Sequence, residues 1–296
     1  MSTVLGFLAI IFWSTSVAFT RSLAEQVGTI TASAAIFLFS GVLGCACLAL
    51  TGWNPRKLVA LPRPYLIGCG ALFVSCCLSL YLAIGLARNR QQVLVVGVIN
   101  YLWPALALVF SLPVLRRKAK LTLLPGALIA LAGVFLATVQ GGSFSWQSFA
   151  SDIRGAWVPY VLALIAAITW GLYSNFARKW GGDAGGGAVP VFLLATGLIL
   201  AALRPAFTEQ SHWHLRALLE LLFIAAVPLL LAYVFWDVAM RKGRMILVVS
   251  FSYLIPLLST FVTWLYLRVP PGANVWIACV LVIGGAFICW YSVEAG

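Results

Sequence analysis

The chain has 296 residues, of which 63% are hydrophobic and only 9% are charged, and its formal net charge is +12. Soluble domains are usually about half apolar and about a quarter charged, so this composition excludes a water-soluble protein and indicates one that lies in a lipid bilayer. The 19 Lys and Arg stand singly or in short groups between apolar segments. This pattern excludes a nucleic-acid-binding surface and is typical of charges that orient membrane helices.

Ten apolar segments long enough to cross a bilayer of about 30 Å follow one another along the chain. They lack the period-two alternation of β-barrel strands, so each is predicted to be a helix. The first is predicted to be retained rather than cleaved as a signal peptide, because Arg21 follows its apolar run instead of preceding it. The predicted spans are residues 4–23, 30–51, 65–87, 93–115, 121–140, 157–177, 188–204, 218–240, 245–267 and 273–293. The predicted fold class is all-α integral membrane, with ten transmembrane helices.

Positive charges between the spans predict the orientation of the helices. With the N-terminus inside, the internal loops hold 12 of the 19 Lys and Arg: Arg56, Lys57, Arg63, Arg116, Arg117, Lys118, Lys120, Arg178, Lys179, Arg241, Lys242 and Arg244. The external side holds the other 7: Arg21, Arg88, Arg90, Arg154, Arg204, Arg216 and Arg268. The excess on the internal side predicts that both termini are cytoplasmic.

The two halves of the chain resemble each other. The segment "YLAIGLARNRQQVLVVGVINYLWPAL" (81–106) aligns without a gap with "YVFWDVAMRKGRMILVVSFSYLIPLL" (233–258), which pairs Pro104 with Pro256. Two shorter matches keep the same order along the chain: 131–137 with 283–289, and 12–21 with 169–178. Three matches in the correct order indicate an internal repeat.

Because five spans is an odd number, the second half must enter the membrane upside down relative to the first. Inverted repeats of this kind are the architecture of secondary transporters, with the substrate site near the midplane where the halves meet. The predicted organisation is a first five-helix repeat, 1–142, and a second, inverted repeat, 143–296, which together form one transmembrane transport domain. Duplication for structural reasons alone is the alternative interpretation.

The chain offers little for catalysis. Among the seven Asp and Glu, only Asp237 is predicted clearly within a span, and it stands four residues before Arg241 on the same helix face. Two interpretations stay open for Asp237: an interfacial ion pair, or a substrate-amine contact or proton-coupling group. His212 and His214 lie in a loop without a nucleophile motif or a phosphate-binding glycine loop. The seven cysteines lie in apolar runs and indicate buried hydrophobes. The sequence predicts no enzyme, no cofactor and no metal site.

Polar and aromatic side chains remain within the predicted spans. They are Asn100, Asn175, Ser14, Thr15, Ser16, Thr169, Ser250, Ser252, Tyr81, Tyr101, Tyr173, Tyr233, Tyr253, Trp13, Trp103 and Trp170. A second set of indoles is assigned to belts at the membrane surfaces: Trp53, Trp146, Trp157 and Trp290. An aromatic residue at mid-depth either lines a cavity or fills the core. Because the first set is concentrated on the first, third, fourth, sixth, eighth and ninth spans, the sequence favours a cavity.

Pro104 and Pro256 predict matching breaks in the fourth and ninth spans. Each removes the N–H that would bond the carbonyl four residues earlier, at Asn100 and Ser252. A freed carbonyl is costly in lipid, so it is expected to face protein, water or substrate. Breaks in corresponding helices point to the binding site of a transporter, and both prolines are predicted to act as hinges. A simple kink healed by a neighbouring hydroxyl is the alternative.

Five segments, in the first, fourth, fifth, seventh and ninth spans, carry a resemblance to a known family: "FWSTSVAFTRSLAE", "VGVINYLWPAL", "LLPGALIALAGV", "VFLLATG" and "SFSYLIPLLS". Through them the chain resembles the drug/metabolite transporter superfamily, and within it most of all the bacterial aromatic amino acid exporters. The likeness covers essentially the whole chain. Its most specific element is "NYLWP", residues 100–104.

The resemblance implies an inner-membrane exporter of phenylalanine, tyrosine, tryptophan and other amino acids or drugs. It also implies a central cavity, with the fifth and tenth helices peripheral. The residues predicted to bind the substrate are Asn100, Tyr101, Trp103, Trp13, Tyr81, Trp170, Tyr173 and Tyr253. Asp237 stands where the resemblance implies a neutral amide.

The sequence therefore predicts a secondary transporter that exports aromatic, and other neutral, amino acids by alternating access. The alternative is a multidrug or metabolite exporter of small amphipathic compounds. Trp103 and Trp170 are expected to stack on the ring of the substrate, while Asn100 orients its polar end. The expected partners are a small-molecule substrate, an amino acid, and membrane lipid, with no nucleic acid; energy coupling and oligomeric state, a monomer included, stay open.

Overall fold

The computed structural model of the protein describes residues 1–51, 58, 60–138, 157–182, 187–267 and 274–294. Throughout these ranges the regular structure is helical, without a strand. Nine helices there are long and apolar enough to cross a membrane, and a tenth apolar helix, Leu123–Thr138, is shorter. The predicted all-helical membrane fold is therefore confirmed.

Several residues used for the orientation and belt predictions lie outside the described residues: Trp53, Arg56, Lys57, Trp146, Arg154 and Arg268. The predicted boundary between the two halves, at 142 and 143, also lies outside them.

The helices follow the predicted course. The first five spans are Ser2–Val27, Thr29–Leu50, Pro64–Gly85, the two helices Arg90–Asn100 and Trp103–Leu115, and Leu123–Thr138. The second five are Val158–Trp180, Ala188–Leu203, Leu215–Lys242, the two helices Met245–Phe251 and Ile255–Leu267, and Asn274–Glu294. The eighth span begins before the predicted 218, because Arg216 and Glu220 form an i,i+4 ion pair that continues the helix beyond its most apolar part.

The predicted breaks in the fourth and ninth spans are both present. In the fourth, the helix ends at Asn100, the Tyr101 N–H bonds to the Gly97 carbonyl at 3.0 Å, and a new helix begins at Trp103 with Pro104 in its first turn. In the ninth, a 3₁₀ turn, Ser252–Leu254, separates the two helices. Proline has no N–H to continue the preceding helix, but its fixed φ suits the first turn of the next one.

The most extensive contacts between spans repeat when five is added to each span number. The second span packs on the seventh, and the fifth packs on the tenth. The third packs on the sixth as the eighth packs on the first, and the fourth packs on the sixth as the ninth packs on the first. The contact of the third with the sixth span thus corresponds to that of the eighth with the first, and the contact of the fourth with the sixth corresponds to that of the ninth with the first. The contacts of the second with the seventh and of the fifth with the tenth each correspond to themselves.

Glycine allows the second and seventh spans to approach closely. A Cβ added to Gly41 would lie 2.5 Å from the backbone nitrogen of Leu194, and a Cβ added to Gly197 would lie 2.5 Å from that of Leu38. The contact is reciprocal, since each helix supplies one glycine against the backbone of the other. Small residues at such points let helices associate in lipid, where no hydrophobic driving force favours their contact.

The loop after the seventh span is hydrogen-bonded to the start of the second span through Glu209. The Glu209 carboxylate accepts hydrogen bonds from the N–H groups of Ile30 and Thr31, at 2.8 and 2.9 Å, and from Oγ1 of Thr31 at 2.8 Å. The Arg204 guanidinium lies 4.0 Å from the same carboxylate. Burial raises the pKa of Glu209, but the three hydrogen bonds and Arg204 outweigh it and hold the pKa below its ordinary value. Glu209 therefore satisfies N–H groups that a helix N-terminus leaves free.

Replacing Glu209 with glutamine is expected to lower thermal stability at pH 7, because an amide presents one acceptor oxygen where the carboxylate presents two. A carboxyl group with a depressed pKa stabilises the folded state above its unfolded pKa, and this contribution disappears as pH falls through the folded pKa. The difference in melting temperature between wild type and Glu209→Gln should therefore narrow on acidification below pH 4.5. Thermal unfolding in detergent between pH 7 and pH 3.5 measures it. A difference that stays constant over this range contradicts the role of Glu209, and Glu25→Gln, at an exposed ion pair, is the control.

Candidate functional site

Seven aromatic side chains from five spans pack against one another in the interior and form what is called here the aromatic cluster. Its members are Trp13 of the first span, Phe73 of the third, Trp103 of the fourth, Trp170 and Tyr173 of the sixth, and Tyr233 and Trp236 of the eighth. Five of them are buried, and Trp13 and Tyr233 are half-buried. Both halves of the chain therefore contribute rings to one cluster.

Trp170 contacts all six other rings of the aromatic cluster. Its closest partner is Tyr173, whose ring stacks on it with centroids 4.8 Å apart and 12° between the planes. The centroids of the other five rings lie between 5.4 and 6.5 Å from that of Trp170. Edge-to-face and offset-stacked contacts at such distances are the favourable geometries for aromatic pairs.

In this conformation Trp103 and Trp170 contact each other directly. Their centroids lie 6.5 Å apart, and their planes meet at 83°. A substrate ring stacked between two indoles requires parallel planes about 7 Å apart, which is twice the contact distance of carbon atoms. The rings thus occupy the place where a central cavity is expected, and a substrate must separate them to enter.

A buried ion pair lies next to the aromatic cluster, on the same helix as Trp236. Nε of Arg241 donates to Oδ2 of Asp237 at 2.8 Å, and both side chains are 1% exposed. Oδ1 of Asp237 accepts from the hydroxyls of Tyr65 and Tyr173, at 2.8 and 2.9 Å. The predicted pair with Arg241 is therefore present, and it is buried and hydrogen-bonded near the end of the eighth span.

The end of the sixth span holds Arg241 in place from a second direction. Nη1 of Arg241 donates to the carbonyl of Gly182 at 3.3 Å, and Nη1 of Arg178 donates to the carbonyls of Arg241 and Gly243 at 2.7 and 3.0 Å. Through Tyr65 the third span also reaches this group. The ion pair thus connects the third, sixth and eighth spans.

The indole N–H of Trp13 lies within the aromatic cluster, shielded from solvent, and meets no acceptor among the described residues. By contrast, Nε1 of Trp236 donates to Oγ of Ser174 at 3.3 Å. A buried donor without a partner costs free energy, so such groups in native proteins need an explanation. Trp13 can donate to an oxygen atom of a bound molecule.

The structure brings some of the predicted site residues together and separates others. Trp13, Trp103, Trp170 and Tyr173 belong to the aromatic cluster. Tyr253 is fully buried in a separate hydrophobic cluster formed with the fifth and tenth spans. Its sequence partner Tyr101, at the helix break, is half-buried and contacts both that cluster and the main core.

Two further predicted residues are not members of the aromatic cluster. The Tyr81 ring contacts Phe37 of the second span, with centroids 5.1 Å apart. Asn100 is half-buried and ends the first helix of the fourth span. Both remain candidates by position along the chain.

Sequence reasoning missed four interior residues: Tyr65, Phe73, Glu220 and Trp236. Helical spacing carried a signal for Trp236, because Tyr233 and Trp236 repeat the i,i+3 spacing of Trp170 and Tyr173. Glu220 is 4% exposed, and its carboxylate accepts hydrogen bonds from Ser22, Gln26 and Arg216 at 2.8 to 2.9 Å. Phe73 is fully buried and carried no signal, because an apolar residue in an apolar span is not distinctive.

The fold and the interior define a multi-pass membrane transporter. The chain matches the EamA-like transporter family over residues 1–139 and 157–291, and it belongs to that family. The resemblance to the drug/metabolite transporter superfamily is thereby confirmed.

Curated relatives and a solved structure match nearly the whole chain. It is 30% identical over 295 residues to the aromatic amino acid exporter YddG of Escherichia coli strain K12, covering 100% of this chain and 98% of that protein. It is 31% identical over 293 residues to the aromatic amino acid exporter YddG of Ancylobacter novellus, covering 97% and 96%. A crystal structure of another protein superposes on this chain with a TM-score of 0.81 and is 25% identical to it in sequence. The match covers 97% of this chain and 96% of that one.

Proposed function

We propose that this protein exports aromatic, and other neutral, amino acids across the inner membrane by alternating access. The observation that carries the proposal is the aromatic cluster, to which both halves of the chain contribute. When these rings separate, they offer apolar faces and edges to the ring of such a substrate. The names of two relatives that match almost the whole chain, both called aromatic amino acid exporters, support the same substrate class.

Alternating access is supported by the way the spans pair. A shift of five span numbers maps the most extensive contacts between the helices onto one another, as two similar halves related by a twofold axis require. We assign residues 1–142 and 143–296 to these halves and propose that the second is inverted. The matching breaks before Pro104 and Pro256 then act as hinges on which one half moves against the other.

The proposed location is the bacterial inner membrane, with both termini in the cytoplasm. The loop that carries Glu209 then lies on the external side, and the ends of the sixth and eighth spans, at Trp180 and Lys242, lie on the cytoplasmic side. The excess of Lys and Arg in the internal loops supports this orientation.

Purified protein in liposomes tests the proposal. Exchange of radiolabelled phenylalanine, threonine and a cationic dye is measured with and without a pH gradient across the liposome membrane. We expect phenylalanine to be transported faster than the dye, and the pH gradient to reveal whether protons are coupled. Transport of the dye alone would instead favour a multidrug exporter.

Replacing both Asn100 and Trp103 with alanine is expected to reduce phenylalanine efflux from cells about tenfold or more. The double variant loses the amide at the break and one ring of the aromatic cluster, and each such contact is worth roughly a kcal/mol or more. Trp157→Ala, whose indole is 58% exposed, is the matched control and should transport normally. Unchanged efflux by a normally inserted double variant contradicts the site assignment.

A further inference from the structure

We propose that the buried pair of Asp237 and Arg241 binds the head group of a zwitterionic α-amino acid, with the ammonium on Asp237 and the carboxylate on Arg241. The inference rests on the proposed function, because it names the part of the same site that takes the charged end of the substrate. The substrate's ring then lies among the rings of the aromatic cluster.

Because the pair is buried, its net contribution to the stability of the fold is expected to be small. Both side chains are 1% exposed, so both charges have lost almost all of their contact with solvent. The desolvation of such a pair offsets much or all of its attraction, and well-packed apolar residues would stabilise the helix as well or better. An ionisable residue inside a membrane span is for this reason a candidate functional group.

Tyr173 connects the pair to the aromatic cluster. Its ring stacks on Trp170, and its hydroxyl donates to Oδ1 of Asp237 at 2.9 Å. One side chain thus combines a ring within the cluster with a hydrogen-bond donor on the carboxylate, as a bound aromatic amino acid would. Tyr65 places a second hydroxyl on the same oxygen at 2.8 Å. An ammonium group supplies three donors and can replace both hydroxyls.

The opposite charges of Asp237 and Arg241 favour a zwitterionic ligand over one that carries a single charge. When Asp237 and Arg241 exchange their mutual contact for two contacts with a zwitterion, the net charge of the site does not change. An amine without a carboxylate would add an unbalanced positive charge, and a carboxylate without an amine would add a negative one. An unpaired buried charge is strongly disfavoured. Hydrogen bonds between charged groups are also stronger than those between neutral groups.

The experiment compares three head groups on one ring. Inhibition of the exchange of radiolabelled phenylalanine in liposomes is measured separately with unlabelled phenylalanine, phenethylamine and 3-phenylpropionate. We expect both single-charge analogues to inhibit the wild type about tenfold or more weakly than phenylalanine. Inhibition by phenethylamine equal to that by phenylalanine overturns the proposal, and this arm requires no variant to fold.

The second arm removes both charges of the pair at once. The double variant Asp237→Asn with Arg241→Gln is expected to raise the KM for phenylalanine about tenfold or more and to lose the discrimination between the three head groups. The matched control is Arg21→Gln with Glu25→Gln, a pair with the same spacing whose side chains are 57% and 66% exposed. It should behave as the wild type does.

The outcomes separate the two proposals. A folded double variant with an unchanged KM overturns the head-group assignment and leaves export of aromatic amino acids standing. A wild type that transports threonine but not phenylalanine overturns the aromatic substrate, and the head-group assignment is then tested with threonine in the same variants. A wild type that transports no zwitterionic amino acid overturns both.

Discussion

Replacing Trp170 with alanine is expected to reduce phenylalanine transport about tenfold or more and to lower the free energy of unfolding by about 3–5 kcal/mol. Trp170 contacts all six other rings of the aromatic cluster and is 5% exposed, so its removal leaves a cavity that the surrounding helices close only in part. Initial rates in liposomes measure transport, and denaturant titration in detergent micelles measures stability.

A second variant at the same position separates the two effects. Trp170→Phe keeps a ring that can stack on Tyr173, so it should recover more of the transport rate than Trp170→Ala does. Trp276→Ala, whose indole is 63% exposed, should leave both quantities near those of the wild type. Full transport by Trp170→Ala contradicts a role of the aromatic cluster in binding the substrate.

Replacing Asp237 alone with asparagine is expected to cost on the order of 3–5 kcal/mol of stability. The variant removes the carboxylate to which the buried guanidinium of Arg241 donates, and it removes the charged acceptor of the hydroxyls of Tyr65 and Tyr173. The double variant Asp237→Asn with Arg241→Gln should be more stable than the single one, because it removes both buried charges of the pair instead of one. Denaturant titration of the three proteins side by side measures the difference.

The exposed pair of Arg21 and Glu25 provides the comparison for this prediction. Its side chains are 57% and 66% exposed, so Glu25→Gln should change stability by about 1 kcal/mol or less. An equally small effect of Asp237→Asn would show that water reaches the carboxylate, and it would contradict the burial on which the ion-pair argument depends.

Much of the fold could be predicted from the sequence, because the signals are local. Each span is a run of apolar residues, and a bilayer permits such a run to form little else than a helix. The breaks before Pro104 and Pro256 could be predicted for a similar reason, since a proline interrupts its own helix whatever surrounds it. Trp13 and Trp170 stood out as aromatic residues in corresponding positions of the two halves, and Trp103 and Tyr173 stood out as aromatic residues within predicted spans.

The rest of the site could not be predicted, because it depends on which faces of different helices meet. Tyr253 was predicted to bind the substrate, but it lies in the hydrophobic cluster of the fifth and tenth spans and not in the aromatic cluster. Phe73 contributes to the aromatic cluster, although it does not differ locally from an ordinary residue of an apolar span. A central cavity was expected, and the rings instead contact one another.

By itself, the sequence determined that the chain lies in a membrane, the course of its spans, the two helix breaks and the family to which it belongs. These properties follow from hydrophobicity, proline chemistry and motif, which act over a few residues. Only the tertiary structure decided that the pair of Asp237 and Arg241 is buried and that two tyrosines from other spans donate hydrogen bonds to Asp237. It also decided that Trp236, the preceding residue, belongs to the aromatic cluster. Burial and partners depend on the rotation and packing of whole helices, and no short segment encodes them.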